Sequence, residues 1–291
     1  MEIAGGLGNQ LFTFFAAYNY ALNFSKDLIV NSSEISLKTF NHKSNIRSFD
    51  FMKYFKISPP RKKSVLEKFI EALCRRSIFL NSIFFNISGI YRSPKTGYDE
   101  LLNSNGNIVV IKGYFQSFKY LEKLLHRGRF LDLTLTKKSD WFEILSKEIL
   151  SKQVVALHVR RGDYSQVHSS LGLLSRDYYK TAITYFQKAL PQSELWVFSD
   201  DVLLAKTLLR GIVKDETTWI EPPSNTDPAE SLVLMSYAKG LIIANSSFSW
   251  WAAATGNLEK KVVAPIPWFK NSQEPDLLIP PNWHRIESSW E

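Results

Sequence analysis

The sequence predicts an α/β protein built on a parallel sheet covered by helices on both faces. Short apolar runs alternate with helix-length segments through the second half of the chain, and the spacing is that of successive strand–helix units. The clearest run, Val154–Val159 (VVALHV), reads as a buried strand and is followed at once by charged residues. In sheets of this kind ligands lie beyond the carboxyl ends of the strands, so the strand-to-helix junctions are where chemistry is expected.

Met1 to Ala4 reads as a short strand, Gly5, Gly6 and Gly8 as a turn, Asn9 to Leu22 as an aromatic helix and Asp27 to Val30 as the next strand. Asn41 to Asn107 has no clean period and reads as helices and loops inserted in the first half. Asn107 to Phe115 resumes as a strand, with helices expected at Ser117 to His126 and Ser139 to Leu150. After Val154–Val159 come a helix from Arg176 to Leu190, stopped by Pro191, and a strand from Leu195 to Phe198. A helix from Asp201 to Leu209 and a strand from Thr217 to Ile220 follow. Next are a helix from Pro228 to Lys239 capped by Asp227, a strand from Leu241 to Ala244, a helix from Phe248 to Thr255 and a strand from Lys261 to Ala264. The 291 residues suit one large domain or two smaller ones sharing a cleft, with a boundary near 150–153: a first lobe over 1–150 and a second over 151–291.

Hydrophobic residues make up 45% of the chain, enough for a sizeable core. The net charge of +8 suits nucleic acid, an anionic membrane face or a phosphorylated substrate. Its spread along the chain, without a polybasic tail, speaks against nucleic acid. One cysteine, Cys74, allows no intrachain disulfide and fits a reducing compartment. No signal peptide and no membrane span are expected, although Ser77 to Ile90 is apolar enough to pack or to touch a membrane surface.

Four junctions carry polar residues suited to chemistry. Gly5-Gly6-Leu7-Gly8-Asn9-Gln10 lets a backbone approach a ligand at a helix start, but it lacks both the third glycine of a dinucleotide fingerprint and the Gly-Lys-Ser/Thr of a P-loop. A tight turn explains the glycines equally well, while the amides of Asn9 and Gln10 must cap or bind something. His158-Val159-Arg160-Arg161-Gly162-Asp163-Tyr164 places two arginines at a strand end, where burial requires pairing. A diphosphate or an internal bridge to Asp163 would satisfy them. His158, inside the apolar run, is a core histidine or a nucleotide contact. Of Asp200 and Asp201, one caps the next helix and the other is free to bind; Asp-x-Asp, the usual metal-binding triplet of glycosyl transfer, is absent. Asn245, Ser246, Ser247, Phe248 and Ser249 precede Trp250 and Trp251 and form a hydroxyl-rich helix start suited to an anion, with a tryptophan packing on the sheet. Zinc spacing and a nucleophile elbow are both missing.

Taken in order, GGLGNQLF at 5–12, GYFQSFKYL at 113–121, HVRRGDY at 158–164, DYYKTAI at 177–183, VFSDD at 197–201 and IIANSSFSWWAA at 242–253 resemble glycosyltransferase family 11, the α-1,2-fucosyltransferases. The resemblance implies a GT-B-type fold of two Rossmann-like lobes and metal-independent, inverting transfer of L-fucose from GDP-β-L-fucose to a galactose hydroxyl of a glycan. It places Arg160 or Arg161 on the donor diphosphate, His158 near the guanine nucleotide and Ser246–Ser249 on phosphate oxygens. Gly6, Gly8, Asn9 and Gln10 would line the cleft near the acceptor. The family's acidic residue falls about where Ser231 stands, so Glu230 is its stand-in at the base. Asp163 and His168 are the candidate general bases, beside proton removal by the departing phosphate. A bacterial cytoplasmic enzyme is expected, peripheral at the inner membrane face, acting on a galactoside acceptor that is lipid-linked and destined for a surface polysaccharide or O-antigen. A different linkage, another GDP-sugar, or a glycan-binding protein without catalysis on the same scaffold are the alternatives.

Overall fold

The computed structural model describes residues 5–24, 28, 54–56, 90–92, 96–99, 110–125, 133–162, 171–257 and 259–291. Asp163, His168, Cys74, the strand expected at 1–4, that at 27–30 apart from Leu28, and most of the 41–107 segment lie outside the described residues. The chain clusters into two compact units: Met1–Met52, Ile57–Phe130 and Pro275–Leu278, and Lys53–Lys56, Leu131–Glu274 and Ile279–Glu291. Residues 131–150, expected with the first lobe, therefore fold with the second.

In the first unit, helix α1 spans Leu7–Asn23. It starts two residues earlier than expected, because Gly6 takes the N-cap position in an extended conformation and Gly8 enters the first turn. Strands β1 (Ile90–Arg92) and β2 (Val110–Lys112) form a parallel pair. Helix α2 covers Lys119–Leu125 and packs on α1, where Asn19 donates its amide to the Phe15 and Tyr120 carbonyls.

The second unit begins with α3 (Asp140–Ser151), whose N-cap Ser139 accepts from the Phe142 N–H at 3.2 Å. Strand β3 (Val154–Val159) is buried along its whole length. It is followed by α4 (Arg176–Ala189), β4 (Glu194–Ser199), α5 (Val202–Leu209), β5 (Thr218–Ile220), α6 (Pro228–Ser236), β6 (Gly240–Ile242), α7 (Ser247–Ala254), β7 (Lys261–Ile266) and β8 (His284–Glu287). The turn from α4 to β4 carries Pro191 and the exposed Gln192, whose φ of 66° is left-handed. Strands β3 to β8 make one six-stranded, all-parallel sheet in the order β5-β4-β3-β6-β7-β8. The α/β parallel architecture expected from the sequence is thus what this unit adopts.

Successive side chains of β3 point to opposite faces. Val155, Leu157 and Val159 join Tyr178, Tyr179, Ala182 and Phe186 of α4 and Ala205 and Leu209 of α5 in one core. His158 belongs to the other face, where its ring lies 5.8 Å from that of Phe248 at the start of α7. Gly240 opens β6 because a Cβ there would stand 2.4 Å from the Phe186 ring. Helix α6 stops at Ser236, short of the expected Lys239, whose N–H instead donates to the Val154 carbonyl beside the sheet. Asp227 holds the N-cap position of α6 without a side-chain cap bond; its carbonyl accepts from the Glu230 N–H. Strand β8 was not expected, since only Ile286 of its four residues is buried.

Candidate functional site: a donor cradle at the sheet switch point

Strand order runs from β3 through β4 to β5 on one side and from β6 through β7 to β8 on the other. The reversal falls between β3 and β6. Open α/β sheets bind ligands in the crevice at the carboxyl ends of such a pair. Here those ends are the His158–Gly162 junction and the Asn245–Ser249 junction, two of the four singled out by sequence.

Asp200, at the end of β4, organises the first. Its Oδ1 accepts from the Arg161 N–H at 2.8 Å, its Oδ2 accepts from the Gly162 N–H at 2.9 Å, and the Arg160 guanidinium lies 3.3 Å from Oδ2. Both carboxylate oxygens therefore hold the arginine loop. Asp201 caps α5 by accepting from the Leu204 N–H at 2.9 Å.

The two arginines differ. Arg161 is buried, with Nη1 2.5 Å from Glu291 Oε2 and Nη2 donating to the Leu174 carbonyl at 2.7 Å. Its guanidinium is thus tied internally through both Nη atoms, whereas the Arg160 side chain is about a quarter exposed (24%). The internal acid that the arginines required is Asp200 for one and Glu291 for the other.

His158 is buried, and its Nδ1 has no hydrogen-bond partner among the described residues. Burial, with the Arg160 charge adding to it, pushes its pKa down to about 3, so the ring is neutral at physiological pH.

At the second junction, Ser246 takes the N-cap position of α7 with no side-chain cap bond. Ser246 and Ser247 keep their hydroxyls at a helix N-terminus, where N–H groups and the helix dipole favour an anion. Ser249 is fully buried and donates to the Ala244 and Ser246 carbonyls at 3.4 and 3.3 Å, so it supports the turn and is withdrawn from the expected phosphate contact. Asn245 is also redirected: its Nδ2 donates to the Leu171 and Gly172 carbonyls at 3.0 and 3.1 Å. Trp250 and Trp251 are both buried, edge to face at 5.1 Å, and Trp250 leans on Trp283.

Glu230, expected at the nucleotide base, is buried on α6 and accepts from both the N–H and the hydroxyl of Ser139. It fastens α6 to the start of α3, each of its oxygens accepting one bond from Ser139.

In the first unit, Gln10 donates from Nε2 to the Gly5 carbonyl at 3.0 Å and closes the turn, where Gly5 has φ 77°. Asn9 Oδ1 accepts from Gln116 Nε2 at 2.8 Å, and Thr13 donates to the Asn9 and Gly113 carbonyls. The GGLGNQLF and GYFQSFKYL segments are therefore bonded to each other. A Cβ at Gly6 would meet nothing within 4 Å, so the backbone there is open to a close approach.

Glu291, Leu174 and the Leu171–Gly172 carbonyls were not foreseen. Leu174 pairs with Trp290, and Gly172, at φ 78°, has Lys270 and the Trp290 ring within 2.6–2.9 Å of where a Cβ would stand. The positive-φ glycine was the available signal; nothing near Glu291 in sequence marks it.

A doubly wound lobe with arginine and serine donors gathered at its switch point is of the class of open α/β sheets that hold ligands at that crevice. The family model described as glycosyl transferase family 11 matches residues 112–287. The chain belongs to that family and is a glycosyltransferase. It is 30% identical to an alpha-1,2-colitosyltransferase of Escherichia coli, over 98% of each chain. It is also 30% identical to the O-antigen biosynthesis glycosyltransferase WbnK of Escherichia coli, over 95% of this chain and 97% of the other. Among solved structures, the α-1,6-fucosyltransferase NodZ soaked with GDP-fucose aligns with a TM-score of 0.49 at 13% identity, covering 87% of this chain and 90% of its own.

Proposed function

We propose that this glycosyltransferase moves L-fucose from GDP-β-L-fucose to a galactose hydroxyl of a glycan, forming an α-1,2 linkage with inversion and without a metal. The observation that carries the reading is the meeting of the arginine loop and the α7 start at the β3/β6 switch point, joined by the His158–Phe248 ring contact. As the glycosidic bond to the diphosphate breaks, negative charge grows on the departing GDP. Arg160, the first N–H groups of α7 and the Ser246 and Ser247 hydroxyls would take that charge, each good donor being worth roughly 3 kcal/mol in the transition state. His158 adds no positive charge and offers Nδ1 to the nucleotide. The acceptor hydroxyl attacks the opposite face of the sugar, which converts a β donor to an α product. Asp163 or His168, both within six residues of Gly162 in sequence, or the departing phosphate removes its proton. Asp163→Asn and His168→Asn separate the three, since only the acting base is needed for turnover. The Gly5–Gln10 turn, open above Gly6, belongs to acceptor recognition in this scheme.

The donor sugar has a second reading. The relative named as a colitosyltransferase favours GDP-colitose, colitose being the 3-deoxy counterpart of L-fucose. The O-antigen name of the other relative supports a lipid-linked polysaccharide acceptor, and the net charge of +8 supports work at an anionic inner membrane face. No helix among the described residues is long and apolar enough to cross a membrane. The test is GDP release from GDP-fucose and from GDP-colitose, with EDTA present, against a panel of β-galactosides, followed by linkage analysis. EDTA-resistant release from GDP-fucose with an α-1,2 product is expected. Release from GDP-colitose alone would replace the donor, and a different linkage would replace the acceptor position. Vesicle flotation with anionic lipid tests the membrane contact.

A further inference from the structure

The strap Leu171–Leu174 is bonded to both halves of the donor cradle. From the β3 side, buried Arg161 donates Nη2 to the Leu174 carbonyl at 2.7 Å. From the β6 side, Asn245 donates to the Leu171 and Gly172 carbonyls. The strap is itself closed from outside by residues 288–291. The Glu291 N–H donates to the Leu173 carbonyl at 3.0 Å, Ser175 N–H to the Ser289 carbonyl at 2.8 Å, and the Ser175 and Ser289 hydroxyls share a bond at 2.6 Å. Lys270 reaches the Glu291 main-chain oxygen at 2.6 Å, and its own N–H donates to the Leu171 carbonyl. Glu291 then returns to the cradle through its carboxylate, 2.5 Å from Arg161.

We infer that Glu291 is a positioning residue for the donor site: by neutralising buried Arg161 it clasps the strap to the β3 loop and keeps Arg160 in register with the start of α7. The inference rests on the reading of this site as a diphosphate cradle. A buried guanidinium without its acid is strongly unfavourable, so losing Glu291 drives Arg161 out of its place. Arg161 and Arg160 share a loop whose N–H groups sit on Asp200, so that displacement moves Arg160 as well. Glu291 touches no substrate in this arrangement; it acts through Arg161 alone.

The experiment uses the full chain with GDP as the probe, and compares Glu291→Ala, Glu291→Gln, Arg161→Met and Arg161→Met with Glu291→Ala. Amide hydrogen exchange without ligand reads the clasp, and calorimetry reads GDP affinity. In Glu291→Ala, exchange over 159–162 and 171–174 is expected to rise while the centre of the sheet stays protected. The Kd for GDP is expected to increase about tenfold, less than for a fully buried pair because the Glu291 side chain is half exposed. Glu291→Gln, which keeps an acceptor, recovers part of the loss even if the alanine variant folds poorly. Adding Glu291→Ala to Arg161→Met changes GDP affinity no further, because the partner is already gone. Unchanged exchange in the single variants, unchanged GDP affinity, or a further loss in the double variant each overturns the clasp. Failure of the unaltered protein to bind GDP would instead overturn the donor reading, and the exchange data would still decide whether Glu291 holds the loop.

Discussion

Asp200 faces Arg160 across 3.3 Å while holding the main chain of the two residues that follow it. One carboxylate thus sets both the charge and the backbone of the arginine loop.

Asp200→Ala removes the acceptor from two N–H groups at once. Each orphaned group costs about 1–3 kcal/mol if it stays buried, so the loop is expected to rearrange. Turnover should fall by roughly two orders of magnitude, within the range for misplaced transition-state donors. Asp200→Asn, which still accepts one of the two bonds, should lie between. Steady-state kinetics with melting curves checks the order.

The two arginines should fail differently. Arg160→Ala should lose nearly all transfer with little change in melting temperature. Arg160→Lys should recover only part, because an ammonium lacks the planar fork that fits a phosphate. Arg161→Ala should lose stability as well as turnover, since it empties a buried site and strands Glu291. Equal melting temperatures for the two alanine variants would contradict this division.

His158 should make stability depend on acid. An unfolded histidine titrates near 6.5, whereas the folded ring is held down to about 3. Between these values the unfolded chain binds a proton that the folded chain refuses. Stability therefore falls as pH drops from ~6.5 toward ~3, by at most ~1.4 kcal/mol per pH unit from this group. Urea unfolding of His158→Phe at pH 7, 6 and 5 should show a smaller slope than the parent protein, the difference growing toward one proton as pH falls to 5.

Glu230→Gln and Ser139→Ala should each destabilise by about 1–3 kcal/mol, the range for breaking a buried hydrogen bond that involves a charge. Affinity for GDP should stay near that of the parent protein. A large loss of GDP affinity at unchanged melting temperature would return Glu230 to the nucleotide base.

The second unit is legible because its central strands β3 and β6 are buried on both faces and its helix starts carry local signals. Val154–Val159 is apolar almost throughout, and Ser139 and Asp201 cap helices that begin one residue later. Local pattern failed where a distant contact decides. Nothing between Ser236 and Lys239 stops a helix; the Lys239 N–H leaves α6 to pair beside β3, and Phe186 leaves room only for glycine at 240. The same limit applies to the site. The HVRRGD segment advertised two arginines, but their roles divide through Asp200, 39 residues from Arg161, and Glu291, 130 residues away. Glu230 enters the expected site only as stand-in for the acidic residue of the family resemblance, and nothing in the local pattern shows its partner Ser139, 91 residues earlier.

The sheet also separates what can be altered from what cannot. The turn through Pro191 and Gln192 feeds β4 at its amino end, on the rim opposite Arg160 and Ser246. A dye, an affinity handle or a surface tether grafted at Gln192 would therefore hang away from the crevice. Such a chain could be immobilised on a bead by that rim with the β3/β6 crevice facing the liquid.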